Sequence, residues 1–214
     1  RWKGIVATST LPTLVVVGIV GMFSWFVFSA MRSGMVVNPP LAPSAQTATM
    51  DQANLTTIYA SLTAFRAENN QYPEHAARMF CGNPLTPADA TSSGQQGATV
   101  FGMPLEQFQL TSDDAQQALI DRFIAAHPGL LAHRVGNYVF TYHGVDPTAH
   151  PEAWVVVHIS PTGEWTAFSA NGSMSMATNG ATMLQAQNQS RMEYGLFALP
   201  DLTTVTDESP AVTP

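Results

Sequence analysis

The stretch that decides the fold of this chain is residues 51–73, DQANLTTIYASLTAFRAENNQYP. Its apolar residues recur at spacings of three and four, which places their side chains on one face of an α-helix. We therefore predict an amphipathic helix from about Asp51 to Asn69, with Asp51 as its N-cap. Asn70 is expected to take a left-handed turn that ends the helix, and Tyr72 and Pro73 to fix the corner that follows. The residues of the predicted buried face are Leu55, Ile58, Tyr59, Leu62 and Phe65.

Upstream of this helix, residues 11–31 read LPTLVVVGIVGMFSWFVFSAM and contain no charged residue. At about 1.5 Å rise per residue, an apolar run of roughly 20 residues is long enough to cross a hydrocarbon layer of about 30 Å. We therefore expect residues 1–32 to be a transmembrane anchor in contact with the lipid bilayer and with neighbouring membrane subunits. Small residues favour close helix packing, and aromatic residues are typical of the membrane interface. The predicted packing residues are Gly18, Gly21, Phe23, Trp25, Phe26 and Phe28.

The charged residues are few and unevenly placed. They make up 11% of the chain, and the formal net charge is −7. Arg1, Lys3 and Arg32 flank the apolar run, whereas all fifteen acidic residues lie beyond residue 50. Because an acidic domain is repelled by phosphate backbones, we expect no nucleic-acid partner. The positive charges ahead of the run favour a cytoplasmic N-terminus and a periplasmic domain at a bacterial inner membrane.

The segment between the two predicted helices is typical of an extended spacer. Residues 33–49 contain no charge, and Pro39, Pro40 and Pro43 are expected to stiffen them. We assign residues 50–198 to one α+β domain, in which the amphipathic helix packs on a small antiparallel sheet. Residues 199–214 are predicted to be an extended C-terminal tail, because no pattern of core residues recurs in them.

Beyond the first helix of the domain, the sequence pattern changes. Residues 74–110 contain proline and glycine at short intervals and predict a long irregular loop. A second helix is expected to begin at Thr111 or Ser112 and to stop at the His127-Pro128-Gly129 break. A third helix is expected at about 182–194. The predicted strands are residues 138–142, 154–159, 164–169 and 173–176, which are separated by turn signals.

The order of these elements resembles that of type IV pilin-like proteins, and in particular the pseudopilins of type II secretion. The resemblance is carried by residues 64–73, AFRAENNQYP, because the first helix of that family typically closes with an aromatic residue, a few polar residues and Asn-Gly-x-Tyr-Pro. Here Asn70 stands where glycine is usual. The resemblance implies a membrane-spanning helix followed by an extracytoplasmic domain. Thr13 stands where the family carries glutamate, and no glycine directly precedes Ser9, which predicts an accessory member rather than a filament-forming pilin.

The six histidines raise the question of a metal site. Histidine and carboxylate side chains could together ligate zinc or iron. The spacings match no compact site, however, and no nucleophile motif or phosphate-binding glycine loop occurs. We therefore predict no cofactor, no small-molecule substrate and no enzymatic activity. The candidate metal ligands, all in the predicted sheet region, are His143, His150, His158, Asp146 and Glu152.

Together these features predict a non-enzymatic structural or accessory subunit. It is expected to stabilise a larger membrane-protein complex, for example a photosynthetic or respiratory assembly, through its anchor and its outer domain. Its partners would be the other subunits of that complex. Two alternatives stay open: a minor pseudopilin of a type II secretion or type IV pilus system, and a tethered metal-dependent enzyme or binding module that uses the three histidines.

Overall fold

The computed structural model describes residues 43–81, 85–91 and 97–207, with the backbone alone at 43–49. The chain divides into units of residues 1–43 and 44–214, and all described residues except Pro43 belong to the second. No helix in these ranges is long and apolar enough to cross a membrane. That finding corrects the predicted single-pass architecture and the predicted location at a bacterial inner membrane. The described chain is α+β, with a five-stranded antiparallel sheet and a separate two-stranded sheet.

Many of the residues predicted to make contacts lie outside the described ranges. They belong to the predicted anchor, residues 1–32, and to the first part of the predicted spacer. The residues concerned are Gly18, Gly21, Phe23, Trp25, Phe26, Phe28, Pro39 and Pro40. Pro43 is described, and it begins a helix instead of stiffening an extended spacer.

The first described helix, α1, is Pro43–Asn69 and begins earlier than predicted. Proline is tolerated in the first turn of a helix, where its missing N–H would have no intrahelical partner. Asp51, the predicted N-cap, therefore lies inside the helix, where its buried carboxylate is 3.9 Å from Nε2 of His158. The helix ends as predicted, because Asn70 takes a left-handed φ of 59°. The predicted face is buried at Leu55, Ile58 and Leu62 and partly buried at Tyr59 and Phe65.

The predicted long loop contains four short elements instead. They are a 3₁₀ helix (Ala76–Phe80), strand β1 (Thr99–Val100), strand β2 (Met103–Pro104) and helix α2 (Leu105–Gln109). β1 and β2 form an antiparallel hairpin. Elements of this length are too short to show a periodicity, so they depend on burial against the rest of the domain. The buried residues that anchor them are Ala76, Ala77, Phe80, Val100, Leu105 and Phe108.

The other two helices lie close to their predicted positions. Helix α3 is Asp113–Ala126, and the Ser112 hydroxyl accepts the N–H of Ala115 at 3.4 Å as its N-cap. Helix α4 is Gly180–Glu193, and the Asn179 side chain accepts the N–H of Thr182 at 3.2 Å. Short polar side chains at these positions satisfy backbone donors that a helix start otherwise leaves unpaired.

The large sheet is an antiparallel meander in which each strand pairs with the next along the chain. Its second to fifth strands match the four predicted segments closely. Its first strand falls on residues for which the sequence predicted no element, because three residues are too few to show an alternation. The strands are β3 (His133–Val135), β4 (Tyr138–Phe140), β5 (Trp154–Ile159), β6 (Trp165–Ser169) and β7 (Met174–Ala177).

Both faces of this sheet are covered. On one face α1 packs on the strands, and the Tyr59 ring stacks on Phe168 with centroids 4.6 Å apart. On the other face α4 and the segment after it pack against Trp165. Leu199 and Leu202 are buried in this second cluster, so the predicted extended tail contributes to the core. As a result β4, β5 and β6 are buried at almost every position, whereas β7 is exposed along most of its length.

Candidate functional site

The outer edge of the large sheet is formed by β7. This strand pairs with β6 on one side, and no strand of the described chain lies on its other side. Met174 and Met176 face the side of the sheet that carries α1, because Met174 lies opposite Phe168 of the α1-side core. Their side chains are 40% and 61% exposed. Gln52 of α1 lies 3.5 Å from the Met174 sulfur, so the helix borders this methionine face.

The backbone of β7 also presents groups at this edge that pair with no strand in the part of the chain that the structure describes. The N–H of Ser169 donates to the carbonyl of Ser173 at 2.9 Å, so the backbone of Ser173 faces β6. Backbone polar groups alternate in direction along a strand, so those of Ser175 face β6 as well. The N–H and C=O groups of Met174 and Met176 therefore point away from the sheet. They have the position and direction needed to pair with a further strand.

Nothing in the local sequence protects this edge. Natural proteins usually shield an exposed edge strand with lysine, proline, a bulge or a covering loop. The chain carries no charged residue and no proline from Trp165 to Ser190, and the pairing of β6 with β7 has no bulge. At the opposite edge, β3, the Arg134 guanidinium donates to the carbonyls of Leu202 and Val205 at 3.1 and 2.7 Å. One edge of the sheet is thus covered, and the other is open.

A cluster of three histidines lies under the corner that follows α1. His75 and His133 are fully buried, and their ring centroids are 4.1 Å apart. His133 Nε2 accepts the N–H of Ala76 at 3.0 Å, and His75 Nδ1 accepts the N–H of Ala77 at 3.2 Å. The two side chains thereby hold the start of the 3₁₀ helix. Because Nε2 of His133 is an acceptor, its Nδ1 carries the proton and donates to Nε2 of His143 at 2.9 Å.

Burial keeps these histidines neutral. It lowers the pKa of His75 to about 3 and that of His143 to about 4, and it lowers the pKa of His133 well below its ordinary value. His75 and His133 each accept a backbone N–H, which a protonated ring nitrogen could not do. Among the described residues, none of the three pairs with a carboxylate. The cluster therefore lacks the histidine–carboxylate arrangement of a hydrolytic triad, and its visible role is to hold backbone.

The predicted corner residues border a polar cavity. Asn70, Tyr72 and Pro73 line a cavity of about 430 Å³ together with Arg66 and His143. The Tyr72 ring stacks on Tyr142 with centroids 5.1 Å apart, and the Arg66 guanidinium carbon lies 5.7 Å from the Tyr72 ring. These contacts give the corner a packing role, since the aromatic stack closes the end of α1 over the sheet.

The five candidate metal ligands do not converge. His143 belongs to the histidine cluster, and Glu152 lines a separate cavity beside α4. His150 Nδ1 accepts the backbone N–H of Asp146 at 2.9 Å, while His158 lies in β5 and faces α1. No group of three or more histidine, cysteine, aspartate or glutamate side chains in the described ranges could hold a metal ion. The structure therefore does not support the metal-dependent alternative.

Neither the histidine cluster nor the β7 edge was predicted from the sequence. The sequence singled out neither His133, which lies buried in β3, nor His75. Their role depends on contacts between distant segments, which leave no local pattern. The edge did have a signal: Met174 and Met176 alternate with small polar residues inside a long stretch without charge. Such a stretch lacks the lysine and proline that usually protect an edge strand from pairing with another strand.

Comparisons with protein-family models, with curated proteins and with solved structures find no match for this chain. Nothing in them identifies a pilin or a pseudopilin, so the resemblance to that family stays a prediction.

Proposed function

We propose that the described domain is a non-catalytic protein-binding domain that pairs an extended strand of a partner with β7. The observation that carries the proposal is the open edge, where the backbone groups of Met174 and Met176 point away from the sheet beside exposed methionine side chains. Addition of a strand to a free edge is a common mode of peptide recognition, in which main-chain hydrogen bonds supply affinity and alternate side chains supply selectivity.

The chemistry of the edge defines what it would accept. Met174 and Met176 offer a flexible apolar surface on one face, and methionine adapts readily to differently shaped partners. Ser175 points to the other face, toward α4, so an incoming strand would meet a small polar surface there. A strand that alternates apolar and small uncharged residues complements both faces. The domain would then act as an accessory subunit through its sheet.

Blocking the outward backbone groups should abolish strand binding without unfolding the domain. Met176→Pro removes an N–H that points away from β6, so the pairing of β6 with β7 stays intact. Proline is tolerated in this way on edge strands of other proteins, where the N–H it lacks would face solvent. We expect a short capped peptide of alternating threonine and valine to bind the full chain saturably, measured by fluorescence anisotropy at low protein concentration. The proline variant should lose at least about tenfold in affinity, equivalent to about 1.4 kcal/mol.

Met176→Thr is the matched control, because it shortens the same side chain but keeps the N–H. Its affinity for the peptide should stay within about threefold of the parent, a difference of less than 1 kcal/mol. Equal losses in the two variants would assign the effect to the side chain and contradict strand addition. Absence of peptide binding to the parent chain would overturn the proposed function.

A further inference from the structure

The geometry points to a second copy of this chain as the occupant of the β7 edge, with the two β7 strands antiparallel about a two-fold axis at Ser175. The inference rests on the proposed function, because it names the partner of the same edge. It joins two five-stranded sheets into one continuous sheet. A contact of this kind is isologous, so the same residues serve both copies and the assembly closes as a dimer.

Side-chain complementarity selects this register. With the axis at Ser175, Met174 of each copy lies opposite Met176 of the other, and directly opposite residues of antiparallel strands share a face. All four methionines then meet on the face that carries α1. An axis at Met174 would place Met176 opposite Gly172, and an axis at Met176 would place Met174 opposite Thr178. Only the Ser175 axis pairs every methionine with another methionine.

The backbone directions agree with the same register. Met174 and Met176 present outward N–H and C=O groups, so each can exchange two hydrogen bonds with its counterpart in the second copy. Ser175, whose backbone groups face β6, falls on the axis as a non-hydrogen-bonded pair. In such a pair the two Cα atoms are about 4.5 Å apart, closer than in a hydrogen-bonded pair. A serine fits this close approach.

Charge favours contact at this edge. The chain has a formal net charge of −7, so most ways of bringing two copies together are opposed by repulsion. The span from Trp165 to Ser190 contains β7 and most of α4 and has no charged residue. The paired β7 strands and the facing parts of α4 therefore bring no charged residues of their own against each other, and Glu152, which lines the cavity beside Ser173 and Ser175, is the nearest acidic side chain on that face.

The size of the contact sets its strength. β7 has four residues, and the large exposed apolar side chains on it are Met174 and Met176. A contact of this extent falls at the small end of protein interfaces, below about 1,200 Å². We therefore expect a dimer whose population rises with protein concentration, visible by sedimentation velocity of the full chain.

A single cysteine on the axis tests the register. In the full chain with Cys81→Ser, which removes the only native cysteine, Ser175→Cys would place two thiols at a Cα separation of about 4.5 Å, suitable for a disulfide. We expect oxidised glutathione to convert this variant into a covalent dimer, read on a non-reducing gel. Ser173→Cys is the matched control, because Ser173 is also exposed and lines the same cavity as Ser175.

The control cysteines would be about 13 Å apart, four residues along the strands, which is too far for a disulfide. We expect at least about tenfold less covalent dimer from Ser173→Cys than from Ser175→Cys. Equal cross-linking of the two variants, or none from Ser175→Cys, would overturn the two-fold register. In the parent chain Met176→Pro should remove the concentration-dependent dimer, whereas Met176→Thr, which loses the methionine contact but keeps the outward N–H, should only weaken it.

The two proposals fail in different ways. If the chain is monomeric at all concentrations but binds the alternating threonine–valine peptide at β7, the second copy is excluded and the proposed function stands with a different partner. If the chain neither binds the peptide nor dimerises, both are overturned. A dimer that survives Met176→Pro would place self-association on another surface and overturn the inference.

Discussion

Replacing Gly136 by alanine is expected to lower the free energy of unfolding by about 4 kcal/mol, the sum of a backbone cost and an overpacking cost. Gly136 is the first residue of the two-residue turn that joins β3 to β4, and its φ is +55°. A residue with a side chain adopts such a φ at a cost of roughly 1–2 kcal/mol. A Cβ at this position would also overlap the backbone oxygen of Ala90 and lie 2.8 Å from the Ala98 methyl.

The neighbours of Gly136 cannot easily move away. The Ala90 oxygen accepts the N–H of Asn137 at 3.1 Å, and the Gly136 N–H donates to the Thr99 carbonyl at 2.8 Å. These bonds tie the turn to residue 90 and to β1. Relief of the overlap would therefore break backbone hydrogen bonds between segments far apart in the sequence, which adds to the cost.

Urea denaturation followed by circular dichroism measures this effect, with Gly163→Ala as the control. Gly163 also has a positive φ, of +87°, but no atom lies within 4 Å of a Cβ placed there. Its replacement should cost only the backbone term, about 1 kcal/mol. If both variants lose the same stability, the close approach to Ala90 contributes nothing and the account of this turn is wrong.

Acidification is expected to destabilise the domain steeply below pH 6.5, because the buried His75 and His133 and the partly buried His143 stay neutral in the folded chain. The pKa of His75 is lowered to about 3 and that of His143 to about 4, and the pKa of His133 is lowered as well, mainly through burial. In the unfolded chain all three titrate near 6.5. Above that pH neither state binds a proton at these groups, so their contribution is fully present.

The direction of the effect follows from proton uptake. Below pH 6.5 the unfolded chain binds protons that the folded chain does not, so the free energy of unfolding falls as the pH falls. Each histidine removes about 1.4 kcal/mol per pH unit, and the three together remove about 4 kcal/mol per pH unit. The slope becomes shallower near pH 4, where the folded-state pKa of His143 is reached, and the loss due to His75 continues to about pH 3.

His75→Asn tests the origin of the slope. Asparagine keeps a side-chain acceptor for the N–H of Ala77 and is a favoured N-cap residue, but it does not titrate. We expect the slope of unfolding free energy against pH, measured by urea denaturation between about pH 6 and 5, to fall by nearly the limiting value of about 1.4 kcal/mol per pH unit. The buried Phe108 provides the control. Phe108→Leu removes core volume but no titrating group, so its unfolding free energy should change with pH at the same rate as that of the parent. A parallel curve for His75→Asn as well would contradict the role given to the cluster.

Local pattern was sufficient for the long elements. The buried face of α1 (Leu55, Ile58 and Leu62) follows from helical spacing, and four strands and two further helices follow from turn and cap residues such as Ser112. It failed for the 3₁₀ helix, the β1–β2 hairpin and α2. These elements are held by buried side chains such as Phe80 and Phe108, whose partners are distant in sequence. It also failed at Leu199 and Leu202, because two residues that pack on a sheet show no period.

For the candidate site, too, some features could be predicted from local sequence and others depend on tertiary packing. The alternation of Met174 and Met176 within an uncharged stretch can be read from the sequence, and the corner at Asn70 was read from its own residue types. Whether a strand with that alternation is central or at an edge depends on the strand order, which no local signal encodes. The proximity of His75, His133 and His143 depends likewise on how the corner after α1 packs on β3.

The sequence by itself determined the α+β character of the described domain, the amphipathic α1, the antiparallel strands and the acidic, charge-poor composition, because each of these is a local or additive property of residues. Only the tertiary structure decided that β7 is an edge with no further strand of the described chain beside it, that His75, His133 and His143 lie together and that the chain after α4 completes the core. Those features arise when segments far apart in sequence pack together and exclude water from one another. Which segments meet depends on the packing of the whole domain and not on any local pattern.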